Sequence, residues 1–97
     1  MRSLTAAAII AAAFSSAAAQ PQARSADGRW ILRADNDARV LLAVDAASGT
    51  VARRIAVADK RGATSRVTRI VEAPSRRSFV ALLADLPEAW ELLYDPD

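Results

Sequence analysis

The sequence predicts an all-β fold made of meandering antiparallel sheets. Three observations carry that reading. From residue 30 on, six apolar runs of five to eight residues recur at a spacing of about ten, with turn-forming clusters between them. The alanine and leucine content leans toward helix, especially over residues 78–93, but Pro87 interrupts that stretch, and a proline inside a helix is costly. Finally, the chain resembles itself at a spacing of 50 residues.

The first element precedes the sheets. Met1 and Arg2 form a short positive start, residues 4–14 (LTAAAIIAAAF) an apolar run, and residues 15–19 (SSAAA) a small-residue end in which Ala17 and Ala19 suit the −3 and −1 positions of a cleavage site. Residues 1–19 therefore read as a secretory signal peptide, helical within its apolar run, and the destination as the periplasm. The apolar run is shorter than the roughly 20 residues a spanning helix needs, so no stable membrane anchor is expected after cleavage. Nine of the 24 alanines lie in this segment, which accounts for much of the apolar content.

Residues 20–26 (QPQARSA) are polar and read as a linker, and residues 27–97 as the folded part. Residues 30–34 form the first run, closed by the turn cluster 35–38. Residues 40–44 form the second, followed by a turn whose Gly49 is free to take positive φ. Residues 50–57, 66–71, 78–83 and 89–94 complete the set. The runs 40–44 and 79–83 are apolar on both faces, which predicts neighbouring strands covered on both sides. The charged runs 50–57 and 66–72 suit outer or half-exposed strands.

The repeat becomes visible when residues 27–45 are set against residues 77–95. Leu32 then matches Leu82, Ala34 matches Ala84, Asp35 matches Asp85, Leu42 matches Leu92 and Asp45 matches Asp95. Strand, turn and strand fall together. A period of 40–50 residues with several short strands is the mark of propeller blades, sheets of four antiparallel strands that close into a ring.

Composition removes several function classes. There is no cysteine, hence no disulfide and no thiolate metal site; there is no histidine, the commonest general base and haem ligand. Thirteen basic residues are interspersed with 11 acidic ones, which is not a nucleic-acid footprint. No serine can be activated by a Ser-His-Asp triad. Without staples, a single core of this size supplies roughly 3–5 kcal/mol, so the chain is expected to be part of something larger.

Two blocks of residues then define a resemblance. Asp27-Gly28-Arg29-Trp30, the Asn36-Asp37 turn, Val44-Asp45 and Ser48-Gly49-Thr50-Val51 resemble a YVTN-type propeller blade. Ser65-Arg66-Val67, Ala73-Pro74, Ser78-Phe79, Asp85, Pro87-Glu88, Trp90-Glu91 and Tyr94 resemble the cytochrome d1 haem domain, the propeller of cd1-type nitrite reductases and of related proteins of haem d1 assembly. The resemblance implies an eight-bladed periplasmic propeller with a tetrapyrrole, haem d1, in its central cavity. The family's iron-binding and catalytic histidines have no counterpart here. The chain thus reads as about two blades of an incomplete propeller, a truncated gene or one piece of a split protein, without catalysis of its own. Its expected partners are a tetrapyrrole or the remaining blades. Two other readings stay open: a β-rich module that pairs through its edge strands, and a non-functional remnant of a longer gene.

Candidate site residues follow from charge chemistry. Arg66 and Arg69 are the candidate cofactor-binding residues, because a guanidinium fork binds carboxylates bidentately; Arg66 stands at the start of a strand, the end that often faces a central cavity. Arg76 and Arg77 offer the same chemistry, against the plainer reading of all four as solvated charges near Asp59 and Glu72. Trp30 and Trp90 would either stack on a macrocycle or pack between sheets, and their positions favour packing. Asp85, Glu88 and Glu91 lie at turn and strand-face spacing and read as structural. Asp35-Asn36-Asp37 reads as a hairpin turn, since the glycine and distal glutamate of a calcium loop are missing.

Overall fold

The computed structural model describes residues 20–94, so the signal-peptide reading of residues 1–19 lies outside the described residues. Among the described residues seven strands appear in order: β1 (Gln22–Arg24), β2 (Trp30–Asp35), β3 (Val40–Asp45), β4 (Val51–Ala56), β5 (Val67–Ala73), β6 (Ser78–Leu83) and β7 (Ala89–Leu93). A 3-10 turn, Pro74–Arg76, joins β5 to β6. Strands β1-β2-β3-β4 form one sheet and β5-β6-β7 a second, every neighbouring pair antiparallel. The fold is all-β, with meandering sheets of the propeller type.

The turns show why the chain reverses where it does. An aspartate opens most of them and accepts backbone N–H groups that the ladder leaves unpaired. Asp27 accepts from Arg29, Asp35 from Ala38, Asp45 from Ala47 and Ser48, and Asp59 from Arg61 and Ala63. In the β3–β4 turn, Gly49 takes φ +75° and donates its N–H to the Asp45 carbonyl at 2.7 Å, a backbone shape that a side chain would strain.

Residues 20–26, expected as a linker, hold β1. The three-residue strand QAR has no apolar alternation to announce it, and it pairs with β2 through the register Gln22↔Arg33, Ala23↔Leu32 and Arg24↔Ile31. The apolar runs 40–44 and 79–83 are not neighbours either. Each is an inner strand of its own sheet, flanked by β2 and β4 in one case and by β5 and β7 in the other. The second run is covered on one face only: Phe79 and Ala81 are buried, whereas Leu82 is 37% exposed.

The ladders repeat at 48 residues rather than 50. Gln22↔Arg33 in the first sheet becomes Ile70↔Ala81 in the second, Leu32↔Ala43 becomes Val80↔Glu91, and Trp30↔Asp45 becomes Ser78↔Leu93. A slip of two residues keeps every side chain on its own face, so the apolar matches at 50 look nearly as good as those at 48.

The two sheets stack face to face. Leu32, Ala34 and Leu41 from the first meet Val67, Ile70, Phe79 and Ala81 from the second, with Val57 from the connecting segment closing the core. Trp30, Ala43, Ile55, Leu83, Trp90, Leu92 and Tyr94 pack around it. Strands β1 and β5, the first of each sheet, lie against each other.

Candidate functional site

Three connections meet at one rim of the stacked sheets: the β2–β3 turn, the 57–66 link and the β6–β7 turn. Asn36 from the first turn faces the backbone of Val67, the first residue of β5. Its Nδ2 donates to the Val67 carbonyl at 2.9 Å, and its Oδ1 accepts the Val67 N–H at 2.8 Å. The carboxamide thus imitates a strand residue and pairs both main-chain groups of a buried position (Val67 is 2% exposed). Ser65, fully buried, accepts the Asp85 N–H at 2.9 Å and donates to the Arg66 carbonyl at 2.7 Å.

Asp85 stands at the centre of this rim. Arg66 donates to it three times: the backbone N–H at 2.8 Å and Nε at 3.1 Å to Oδ2, and Nη2 at 2.8 Å to Oδ1. Arg39 adds Nη1 at 3.3 Å to Oδ2, reaching across from the first sheet. Arg39 sits at φ +58°, a left-handed conformation at the exit of the β2–β3 turn. The Arg66 guanidinium, then its backbone N–H, hold the Asp85 carboxyl well below the ordinary carboxylate range. The same contact raises the Arg66 guanidinium above its usual value. Asp85 therefore serves as an inter-sheet anchor with a fixed negative charge, not as an acid or base.

The sequence-derived candidates separate clearly on this framework. Arg66 lies at the rim with a bidentate partner and a side chain still 55% exposed, and its Nη1 has no hydrogen-bond partner among the described residues. Its partner is Asp85, and neither Asp59 nor Glu72. Arg69 is exposed on β5, paired with Leu82 next to a register shift, and its guanidinium forms no ion pair among the described residues. Arg76 is at the opposite rim in an ion pair with Glu91, which also accepts from Ser78 at 2.7 Å. Arg77, at φ +51°, closes the 3-10 turn by donating its N–H to the Pro74 carbonyl. Arg66 and Arg69 are thus brought to one region, and Arg76 and Arg77 to another.

The remaining candidates are structural in their contacts. Trp30 packs against the core with the Arg29 guanidinium 5.1 Å over its ring, and Trp90 donates Nε1–H to Glu88 at 2.9 Å. Glu91 is held down to about 2 by Arg76 first and Ser78 second. Asp35 caps its own turn. Among the described residues no cluster of acidic side chains could hold a metal ion. Sequence reasoning missed Asn36 as the inter-sheet clamp and Asp85 as the partner of Arg66. An aspartate or asparagine in a turn looks the same whether it caps that turn or reaches out of it.

Two antiparallel meanders, stacked face to face and repeated in one ladder register with their first strands adjacent, are blades of a β-propeller. Comparison with known proteins adds the family. The chain is 41% identical over 70 residues to a dihydro-heme d1 dehydrogenase of Pseudomonas aeruginosa, a match covering 72% of this chain and 14% of that protein. The solved structure of dihydro-heme d1 dehydrogenase NirN in complex with DHE superposes with a TM-score of 0.73 at 40% identity, covering 77% of this chain and 16% of that one. No family profile matches the chain. Over the stretch that matches, the chain is related to a cytochrome d1 haem-domain propeller, and it spans only a minor part of that relative's length.

Proposed function

We propose that the chain supplies two adjacent blades of a d1-type propeller in the periplasm. In this reading its Arg66–Arg69 region helps to hold a haem d1-type tetrapyrrole in the setting of nitrite respiration, as a binding or scaffolding component with no catalysis of its own. The observation that carries the reading is the 41% identity over 70 residues to a dihydro-heme d1 dehydrogenase. The residues fit the periphery of such a group and not its metal. Arg69 presents an exposed guanidinium, and Arg66 keeps Nη1 for a ligand carboxylate while Asp85 orients its fork. No histidine or cysteine exists to ligate iron, and the one tyrosine, Tyr94, already donates to Glu72 at 2.7 Å. No helix among the described residues is long and apolar enough to cross a membrane, which suits export followed by release.

The test is a titration of the secreted, purified chain with haem d1, followed by absorbance, with protohaem as comparison. A saturable spectral shift with haem d1, weakened about tenfold or more by Arg69→Ala, supports the reading, since one charge-assisted pair is worth roughly 1.5–3 kcal/mol. A spectrum that is the plain sum of its parts sinks it. Cell fractionation and the N-terminal residue of the exported chain test the rest: periplasmic material starting at Gln20 is expected, and cytoplasmic material starting at Met1 contradicts it.

A further inference from the structure

The two sheets differ at their outer edges. The Leu83 N–H donates to the Glu88 carbonyl, and the Tyr94 N–H to the Arg77 carbonyl. Bonded and non-bonded pairs alternate in an antiparallel ladder, so Glu88, Trp90, Leu92 and Tyr94 bond toward β6. Ala89, Glu91 and Leu93 therefore turn their N–H and C=O groups to the far side of β7, where no partner meets them among the described residues. The first sheet has no such gap. There the Asp45 N–H donates to the Thr50 carbonyl and the Val57 N–H to the Arg39 carbonyl, and β4 takes up the outward groups of β3. By the 48-residue ladder repeat, Leu41, Ala43 and Asp45 become Ala89, Glu91 and Leu93. The bare positions of β7 are those that β4 fills on β3.

We propose that this edge of β7 accepts an added antiparallel strand from a partner polypeptide, apolar on its inner face with one carboxylate there for Arg53. An open trench of about 430 Å3 runs beside the edge, and its walls include Trp30, Leu32, Arg53, Ile55, Phe79 and Leu92. Directly opposed residues share a face, so guest side chains opposite Trp90 and Leu92 enter the trench. Apolar walls select apolar residues at those positions. Arg53 adds the charge preference: it is exposed, and its guanidinium forms no hydrogen bond or ion pair among the described residues. On the outer face, a guest residue opposite Leu93 covers a leucine that is 65% exposed. The chain's own β4 is a poor guest from a second copy. Arg53 and Arg54 are adjacent in it, so whichever face turns inward sets an arginine against Arg53.

The probe is a short synthetic peptide in which threonine alternates with isoleucine, glutamate and isoleucine. Amide hydrogen exchange of the full chain, read by NMR, is expected to slow at Ala89, Glu91 and Leu93 as the peptide saturates. Lysine in place of the peptide's glutamate should weaken binding about tenfold or more, and Arg53→Glu should reverse that preference. N-methylation of the threonines, whose N–H groups face β7, should abolish binding, whereas N-methylation of the isoleucines should leave it. Unchanged exchange at the three amides up to the peptide's solubility limit overturns the inference. So does binding that threonine N-methylation or Arg53→Glu leaves unaltered. A dimer whose three amides are protected without peptide also overturns it, since a second copy then occupies the edge. Haem d1 takes no part in the measurement, so its outcome is independent of tetrapyrrole binding.

Discussion

Replacing Asn36 with alanine removes the clamp between the sheets while leaving the apolar core whole. Both Val67 main-chain groups lose their partner, at a position 2% exposed. A buried donor or acceptor left unpaired costs about 1–3 kcal/mol, and the site is partly reachable by water, so a total of roughly 2–4 kcal/mol is expected. For a domain of this size that corresponds to a fall of roughly 8–30 °C in Tm. Asn36→Asp keeps an acceptor for the Val67 N–H but sets a carboxylate oxygen against the Val67 carbonyl, so it too destabilises. Urea unfolding followed by tryptophan fluorescence measures the effect. Trp30 reports the first sheet and Trp90 the second, and each single-tryptophan form isolates one of them. The expected signature is a lower midpoint with an unchanged slope. A loss below about 0.5 kcal/mol, the range of an ordinary surface substitution, refutes the account of Asn36 as a clamp.

Leu41, fully buried at the centre of the core, is expected to cost about 2–5 kcal/mol on replacement by alanine in the same urea assay, through lost burial and the cavity left behind. Glu91 is lowered from 4.5 to about 2 in the folded chain, so its contribution is complete above the unfolded value and disappears as pH falls toward 2. Tm should therefore drop across that interval, and Glu91→Gln should flatten the drop, leaving the part due to Asp85, whose carboxyl is lowered as well. Tyr94 is raised above 10 chiefly by its hydrogen bond to Glu72. As the chain's one tyrosine, it gives an ultraviolet absorbance titration with a midpoint above that of free tyrosine, which Glu72→Gln should bring back toward 10.

The strands from β2 onward were legible because each is an apolar run bounded by turn residues. The 78–83 run coincides with β6, and the others differ from β2, β3, β4, β5 and β7 by one or two residues at one or both ends. Strand β1 was not legible: its three residues alternate polar and small, and its pairing depends on β2 being present. The spacing of 50 was set by identities such as Leu32/Leu82, whereas the ladder partners set it at 48. The two hypotheses share face parity, and only main-chain pairing separates them. At the rim, Arg66 was legible as a carboxylate-binding side chain. Its partner was not, because the bond to Asp85 spans 19 residues and closes only once β5 and β6 are paired.

The meander has a kinetic consequence. Every strand pairs with its neighbour in sequence, so each sheet can assemble from short loop closures before the two sheets meet. The Asn36–Val67 contact bridges 31 residues and belongs to that later docking step. Loosening it should then raise the unfolding rate far more than it lowers the folding rate. In stopped-flow measurements the unfolding arm of the chevron should move while the folding arm stays nearly in place. The Asn36 carboxamide thus adds to the lifetime of the stacked pair of sheets more than to the speed at which it forms.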